Sequence, residues 1–249
     1  MTRAVTLLLS IALPFAAPLA GTDAAERDRG PGLAGQRQGA GFVYPGARGF
    51  DGVSLGGAAR VEVRHGPAWS VLVEGPAAAL ANFRVAVEGH TLQLGRRYDG
   101  RDDGALQKQI VVRVTLPRLS SASVGGSGQM RLDRAEGDSV SLSVGGSGGL
   151  RVDRLEARNA DLNVGGSGSI ATAGQVGALT ANVGGSGGVD APGLRAARAS
   201  VSVGGSGNVH VAVVGPADVS LAGSGSVDLG PQARCSISKV GSGTVRCGR

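Results

Sequence analysis

The chain has 249 residues, of which 45 are glycine and only 3% aromatic, with a formal net charge of +6. That composition starves a compact globular core of large side chains, but it suits a solenoid that stacks small aliphatic residues in rows. Its basic residues are nearly all Arg and are interspersed with acids, which describes a solvated surface and argues against a nucleic-acid footprint.

Residues 1–20 read as a secretory signal. Arg3 supplies the positive charge, Ala4–Leu13 the apolar run, and small residues follow. The run is shorter than the roughly 20 apolar residues that span a bilayer, so no integral membrane segment is expected in the mature chain. Export to the periplasm or the cell exterior is the expected destination. Residues 21–41 are polar and Gly-rich without apolar periodicity, and are expected to form a disordered linker.

Residues 42–118 read as an N-terminal β section. FDGVSL, ARVEVRH and SVLVEG are short alternating strands, and Pro76 opens one short helix. VAVEG and TLQLG follow, with Gly89-His90 at their turn. Arg96–Lys108 is a charged loop, and QIVVRVTLP closes the section at Pro117.

Residues 119–249 are a repeat. Corner serines stand at Ser127, Ser147, Ser167, Ser186, Ser206, Ser224 and Ser242, spaced 18–20 residues apart. Three residues after each corner an apolar residue recurs, from Met130 and Leu150 to Val245. Three before it come Val124, Val144, Val164, Val183, Val203 and Leu221, broken only by Lys239. The positions between are small and polar, so each repeat alternates with period 2 and buries one strand face. Stacking in register gives a right-handed parallel β-helix of about seven turns in an all-β protein. Gly128, Gly148, Gly168, Gly187, Gly207, Gly225 and Gly243 follow the corner serines, where left-handed backbone is expected. The stacked serine hydroxyls are expected to satisfy the corner.

No catalytic constellation, metal-ligand spacing or cofactor motif emerges. The glycine corners lack the Lys-Ser/Thr of a phosphate loop. Asp133 and Asp153, flanked by Arg131, Arg134, Arg151 and Arg154, are the strongest acid pair for a polysaccharide-degrading enzyme. Turns this short leave no room for catalytic loops, and alternating charge on a solvated strand explains the pair. His65, His90 and His210 are isolated in sequence. Cys235 and Cys247, twelve residues apart in an exported chain, are expected to form a disulfide that closes the last turn.

The outward row Ser143, Asn163, Asn182 and Ser202 is the candidate binding face, a flat lattice of small polar groups. Without aromatics in the repeats, a bound sugar would use polar contacts there, or Trp69 and Tyr98 in the N-terminal section.

FDGVSLGGAARVEVRHG, VRVTLPRLSSASVGGSG and the iterated SVSLSVGGSG corners resemble the GIN domain, the head domain ascribed to autotransporter adhesins, from about Phe50 onward. The resemblance implies an exported β-helix and adhesion. Together these readings favour a non-enzymatic binding module whose partner is a surface glycan or an envelope protein. A structural, self-associating envelope component is the competing reading.

Overall fold

The computed structural model describes residues 32–96 and 104–248. The signal segment, most of the expected linker, and Tyr98 with its neighbours in the charged loop lie outside the described residues.

The end of the expected linker is a strand. β1 (Gln36–Gln38) pairs antiparallel with β2 (Gly41–Val43), and the Leu33 N–H donates to the Val85 carbonyl at 2.7 Å. All three β1 side chains are exposed, so the pairing is made by backbone alone and leaves no hydrophobic period to read.

Next come β3 (Gly52–Gly57), β4 (Arg60–His65), β5 (Ser70–Glu74), helix α1 (Ala77–Leu80), β6 (Phe83–Glu88) and β7 (Thr91–Arg96). A second helical turn, α2 (Gly104–Gln107), occupies part of the segment expected to be loop, and β8 (Val111–Leu116) follows. The repeats comprise β9 (Ser121–Gly126), β10 (Gln129–Gly146), β11 (Gly149–Gly166), β12 (Ser169–Gly185), β13 (Gly188–Gly205) and β14 (Asn208–Val213). The last are β15 (Pro216–Gly223), β16 (Ser226–Asp228), β17 (Arg234–Val240) and β18 (Thr244–Arg246).

The result is a nearly all-β chain with a parallel β-solenoid of about six turns. The expectation of about seven counted corners, and seven corners bound six intervals. β10 and β11 pair in parallel, with Met130 against Leu150, Leu142 against Leu162 and Val144 against Val164. The inward residues join one continuous core, in which Leu132, Leu142, Leu155 and Leu162 are wholly buried. Each such side chain contributes about 1.5–3 kcal/mol by leaving water.

The N-terminal section continues the stack. β3 pairs in parallel with β9, Leu55 beside Val124, and β4 pairs with the start of β10, Val61 beside Met130. β7 lies on the other side of β3, and β8 on the other side of β4. Stacking order therefore departs from chain order. Beyond this level β6 and β5 run antiparallel to β7 and β8, and turn the solenoid edge into a cap. Phe50, Leu92, Leu94, Ile110 and Leu116 are wholly buried near this end, and supply the bulk that a further turn would have given.

The corner glycines divide the work differently from the sequence expectation. Positive φ occurs at the glycine before each serine: Gly126, Gly146, Gly166, Gly185, Gly205, Gly223 and Gly241. Gly128, Gly148, Gly168, Gly187, Gly207, Gly225 and Gly243 do not have it. They are needed for space instead. A Cβ on Gly148 would sit 2.5 Å from the Gly128 carbonyl oxygen and 2.7 Å from a Val124 methyl. The chain turns at Gly146, φ +126, and is already close against the turn below at Gly148.

The corner serines are exposed, and backbone satisfies the corner. The N–H groups of Ser147 and Gly148 both donate to the Gly126 carbonyl, at 2.9 and 2.8 Å. Ser167 and Gly168 repeat this on Gly146. A hydroxyl contact does join Ser224 to Ser242, at 3.1 Å.

Candidate binding face

Register brings the predicted row together. Ser143, Asn163, Asn182 and Ser202 lie side by side on successive turns. The Asn182 amide donates to Asn163 Oδ1 at 2.9 Å. The repeat alignment also places Ser123, Ser220 and Ser238 in this row, and the register puts them there; beyond the repeats the row runs on through Ser54 and Gln93. A signal for this existed: V-S-L-G-G at 53–57 matches the V-G-G of the corners. Adjacent turns stand about 4.8 Å apart, and alternate outward residues about 7 Å apart along each strand. Beside the row runs a second one, Ser121, Ser141, Asp161, Thr180, Ser200, Asp218 and Ser236.

A third outward row is glycine: Gly125, Gly145, Gly165, Gly184 and Gly204, all exposed. None has positive φ. A Cβ would meet nothing within 4 Å at Gly145 and Gly204, and only a carbonyl oxygen at 3.9–4.0 Å at the others. Ala222 and Val240 occupy the same position in the last two corners. Neither conformation nor crowding demands glycine in this row.

The charged candidates lie after the corner, on a different face. Arg131 reaches across to Asp153 at 2.9 Å, and Arg151 Nε donates to the same carboxylate at 3.2 Å. Asp133 instead accepts the His65 backbone N–H on both oxygens at 3.0 Å. Each such exposed pair contributes about 0–1 kcal/mol. His210 lies 3.8 Å from Asp190, and the carbonyl of His90 accepts the N–H groups of Asp51 and Gly52. The described residues hold no group of three or more His, Cys, Asp or Glu suited to a metal. Trp69 is 40% exposed and its indole N–H donates to the Phe50 carbonyl at 2.8 Å.

Cys235 and Cys247 are bonded to each other, with Cα atoms 6.2 Å apart. They close the last turn, where β17 is mostly exposed and Ile237 and Val240 stand open. Lys239 occupies an inward position beside Leu221, and its ammonium group donates to the Gly243 carbonyl at 3.0 Å. No helix among the described residues is long and apolar enough to cross a membrane.

Solved structures share this fold. A putative adhesin of Bacteroides fragilis matches at 22% identity over 82% of this chain and 94% of its own, with a TM-score of 0.73. A putative lipid binding protein of Parabacteroides distasonis matches at 19% identity over 79% and 92%, with a TM-score of 0.62. A putative adhesin of Parabacteroides merdae matches at 14% identity over 80% and 92%, with a TM-score of 0.58. No curated protein matches the chain. The family model described as "Putative auto-transporter adhesin, head GIN domain" matches residues 49–233, and the chain belongs to that family.

Proposed function

We propose that the chain is an exported, non-enzymatic, adhesin-like module that binds a surface glycan through its flat Ser/Asn/Gly face. The glycine row carries this reading. An exposed strand glycine costs about 0.5–1 kcal/mol relative to alanine. At Gly145 and Gly204 nothing in the fold recovers that cost. Strand glycines without a structural reason mark places where a ligand or another backbone approaches closely. Flanked by hydroxyls and carboxamides at fixed spacing, the row makes a level polar track for a chain of hydroxylated rings.

Export is supported by the signal-like residues 1–20 and by the disulfide, which persists in oxidising compartments. One structural relative is described as lipid binding. Within the repeats the two polar rows of this face carry Ser, Asn, Thr and Asp, and the glycine row beside them ends in Ala222 and Val240, so a glycan suits the face better than an acyl chain.

The test is Gly165→Arg and Gly184→Arg, assayed on an array of extracellular glycans and by thermal melt. The melts should stay close to the parent, because the positions are open, while glycan binding falls at least tenfold. Undiminished binding in both variants would overturn the assignment of the face. An elongated homo-oligomer that binds no glycan would instead favour the self-associating envelope component.

A further inference from the structure

The turns vary in length, and one of them leaves a dent. The interval from Ser167 to Ser186 is 19 residues, against 20 on either side. The missing residue appears as two breaks in register, between Val152 and Leu155 on one side of β12 and around Ala173 on the other. On this turn the outward positions hold Ala171 and Ala173, which offer only a methyl group. The turn below offers Arg151 beside Ala171 and Asp153 two residues on. The turn above offers Asp190 beside Ala171 and Gly193 beside Ala173, with Pro192 bulged out between them. The outcome is a concavity of about 250 Å³ with charged walls and a small floor. Its walls stand two strand spacings apart, about 9.6 Å.

Thr172 lines this floor and is only 7% exposed. Its row is otherwise apolar, with Leu132, Val152, Ala191, Val211 and Leu229 all buried. The Thr172 hydroxyl donates to the Ala173 carbonyl at 3.5 Å, a long and weak bond. A nearly buried hydroxyl so poorly engaged costs stability where Val would fit. Asp153 meanwhile anchors Arg151 and Arg131, which fixes a guanidinium on one wall. Asp190 supplies a carboxylate acceptor on the other.

We propose that this dent is a binding site for a single sugar ring. Its volume lies below the roughly 300–1,000 Å³ of pockets for drug-sized ligands, which suits one ring. Arg151 donates to ring hydroxyls, Asp190 accepts from them, and Pro192 with the two alanines packs the apolar ring face. The inference rests on reading the chain as a glycan-binding module. It places a second subsite away from the flat face.

The experiment is amide chemical-shift titration of the protein with D-mannose, D-galactose, N-acetyl-D-glucosamine and L-fucose at millimolar concentration. At least one probe should shift the amides of Thr172, Ala173 and Gly193 saturably. Asp190→Ala should weaken that binding at least tenfold. Ala173→Arg, which fills the dent from an outward position, should weaken it too while leaving the melting temperature close to the parent. Gly165→Arg should leave the dent titration unchanged, so failure of the flat face and failure of the dent are read separately. The site is refuted if none of the four probes shifts these amides, or if both dent variants bind like the parent.

Discussion

Two glycines three residues apart, Gly145 and Gly148, should respond to alanine in opposite directions. At Gly148 the new Cβ would lie 2.5 Å from the Gly128 carbonyl oxygen and 2.7 Å from Val124 Cγ1. One contact is with backbone and cannot rotate away, so the turns must separate. Separation strains the hydrogen bonds from Gly148 to Gly126 at 2.8 Å and from Gly149 to Gly128 at 3.0 Å. Overpacking of this kind costs about 1–3 kcal/mol, and each weakened hydrogen bond up to about 1 kcal/mol. Alanine returns about 0.4–1 kcal/mol by restricting the unfolded chain, which leaves a net loss of about 2 kcal/mol at mid-range and at most about 4.6 kcal/mol. For a chain of this size the mid-range loss lowers the melting temperature by roughly 4–8 °C. At Gly145 the Cβ meets nothing within 4 Å and φ is not positive, so only the unfolded-state gain remains. The melt should then rise by about 1–4 °C. Differential scanning calorimetry of Gly145→Ala and Gly148→Ala checks both. Equal losses in the two variants would refute the division between a row needed for packing and a row free of it.

Two further predictions concern the ends of the stack. Cys235→Ser with Cys247→Ser should lower the melt by roughly 6–12 °C, since a loop of this length closed by a disulfide contributes about 3 kcal/mol; free-thiol titration of the unreduced parent should find no reactive thiol. Gln107 Oε1 accepts the Ala58 N–H at 3.3 Å beside Gly57; Gln107→Leu should cost about 1–3 kcal/mol by orphaning that donor, with faster amide exchange at Ala58 as the local readout.

The parallel stack was legible because one-sided burial writes period 2 into each repeat, and a repeat length that varies by only two residues writes the register. Met130, Leu150 and Ile170 could align only if successive turns lay side by side. The disulfide was legible for the same reason, because both cysteines fall in inward rows of one turn. The corner chemistry was less so. V-G-G-S-G states that glycine is needed without stating whether φ or space demands it. Those causes separate only when the neighbouring turn is in place, as it is beneath Gly148. Lys239 looked like a lapse in an apolar row until its ammonium was found on the Gly243 carbonyl. The N-terminal exchange of order, with β7 and β8 set outside β3 and β4, had no local signature. It follows from long-range pairing, and only the V-S-L-G-G echo at 53–57 hinted that β3 belongs to the stack. Thr172 was visible as a polar break in an apolar row, but its meaning needed the one-residue shortening beside it.

The two ends of the solenoid bear on how the chain meets its partners. A parallel stack is open-ended by construction: each terminal strand offers unpaired N–H and C=O groups, and each terminal turn an apolar cross-section. At the N-terminal end antiparallel strands and Phe50 fill that role. At the other end the inward Lys239 and the Cys235–Cys247 bridge stand where the next turn would rest. An inward-pointing charge is among the devices that keep sheet edges from joining. End-to-end stacking of a second copy would bury the Lys239 ammonium, already bound to the turn, against an apolar cross-section. Ile237 and Val240 are exposed there, yet the lysine between them makes their apolar surface a poor seat for another column. The long sides carry no such obstacle. The flat Ser/Asn/Gly face runs along the stack with its glycine row cleared of side chains, and the dent at Thr172 opens on another side. Ends unsuited to stacking and flanks clear of side chains fit the lateral recognition proposed above better than a filament. Lys239→Leu puts this to the test: sedimentation velocity should show the parent as a monomer and the variant as a concentration-dependent series of end-to-end species. A parent that already forms elongated oligomers, unaltered by the substitution, would reverse the preference.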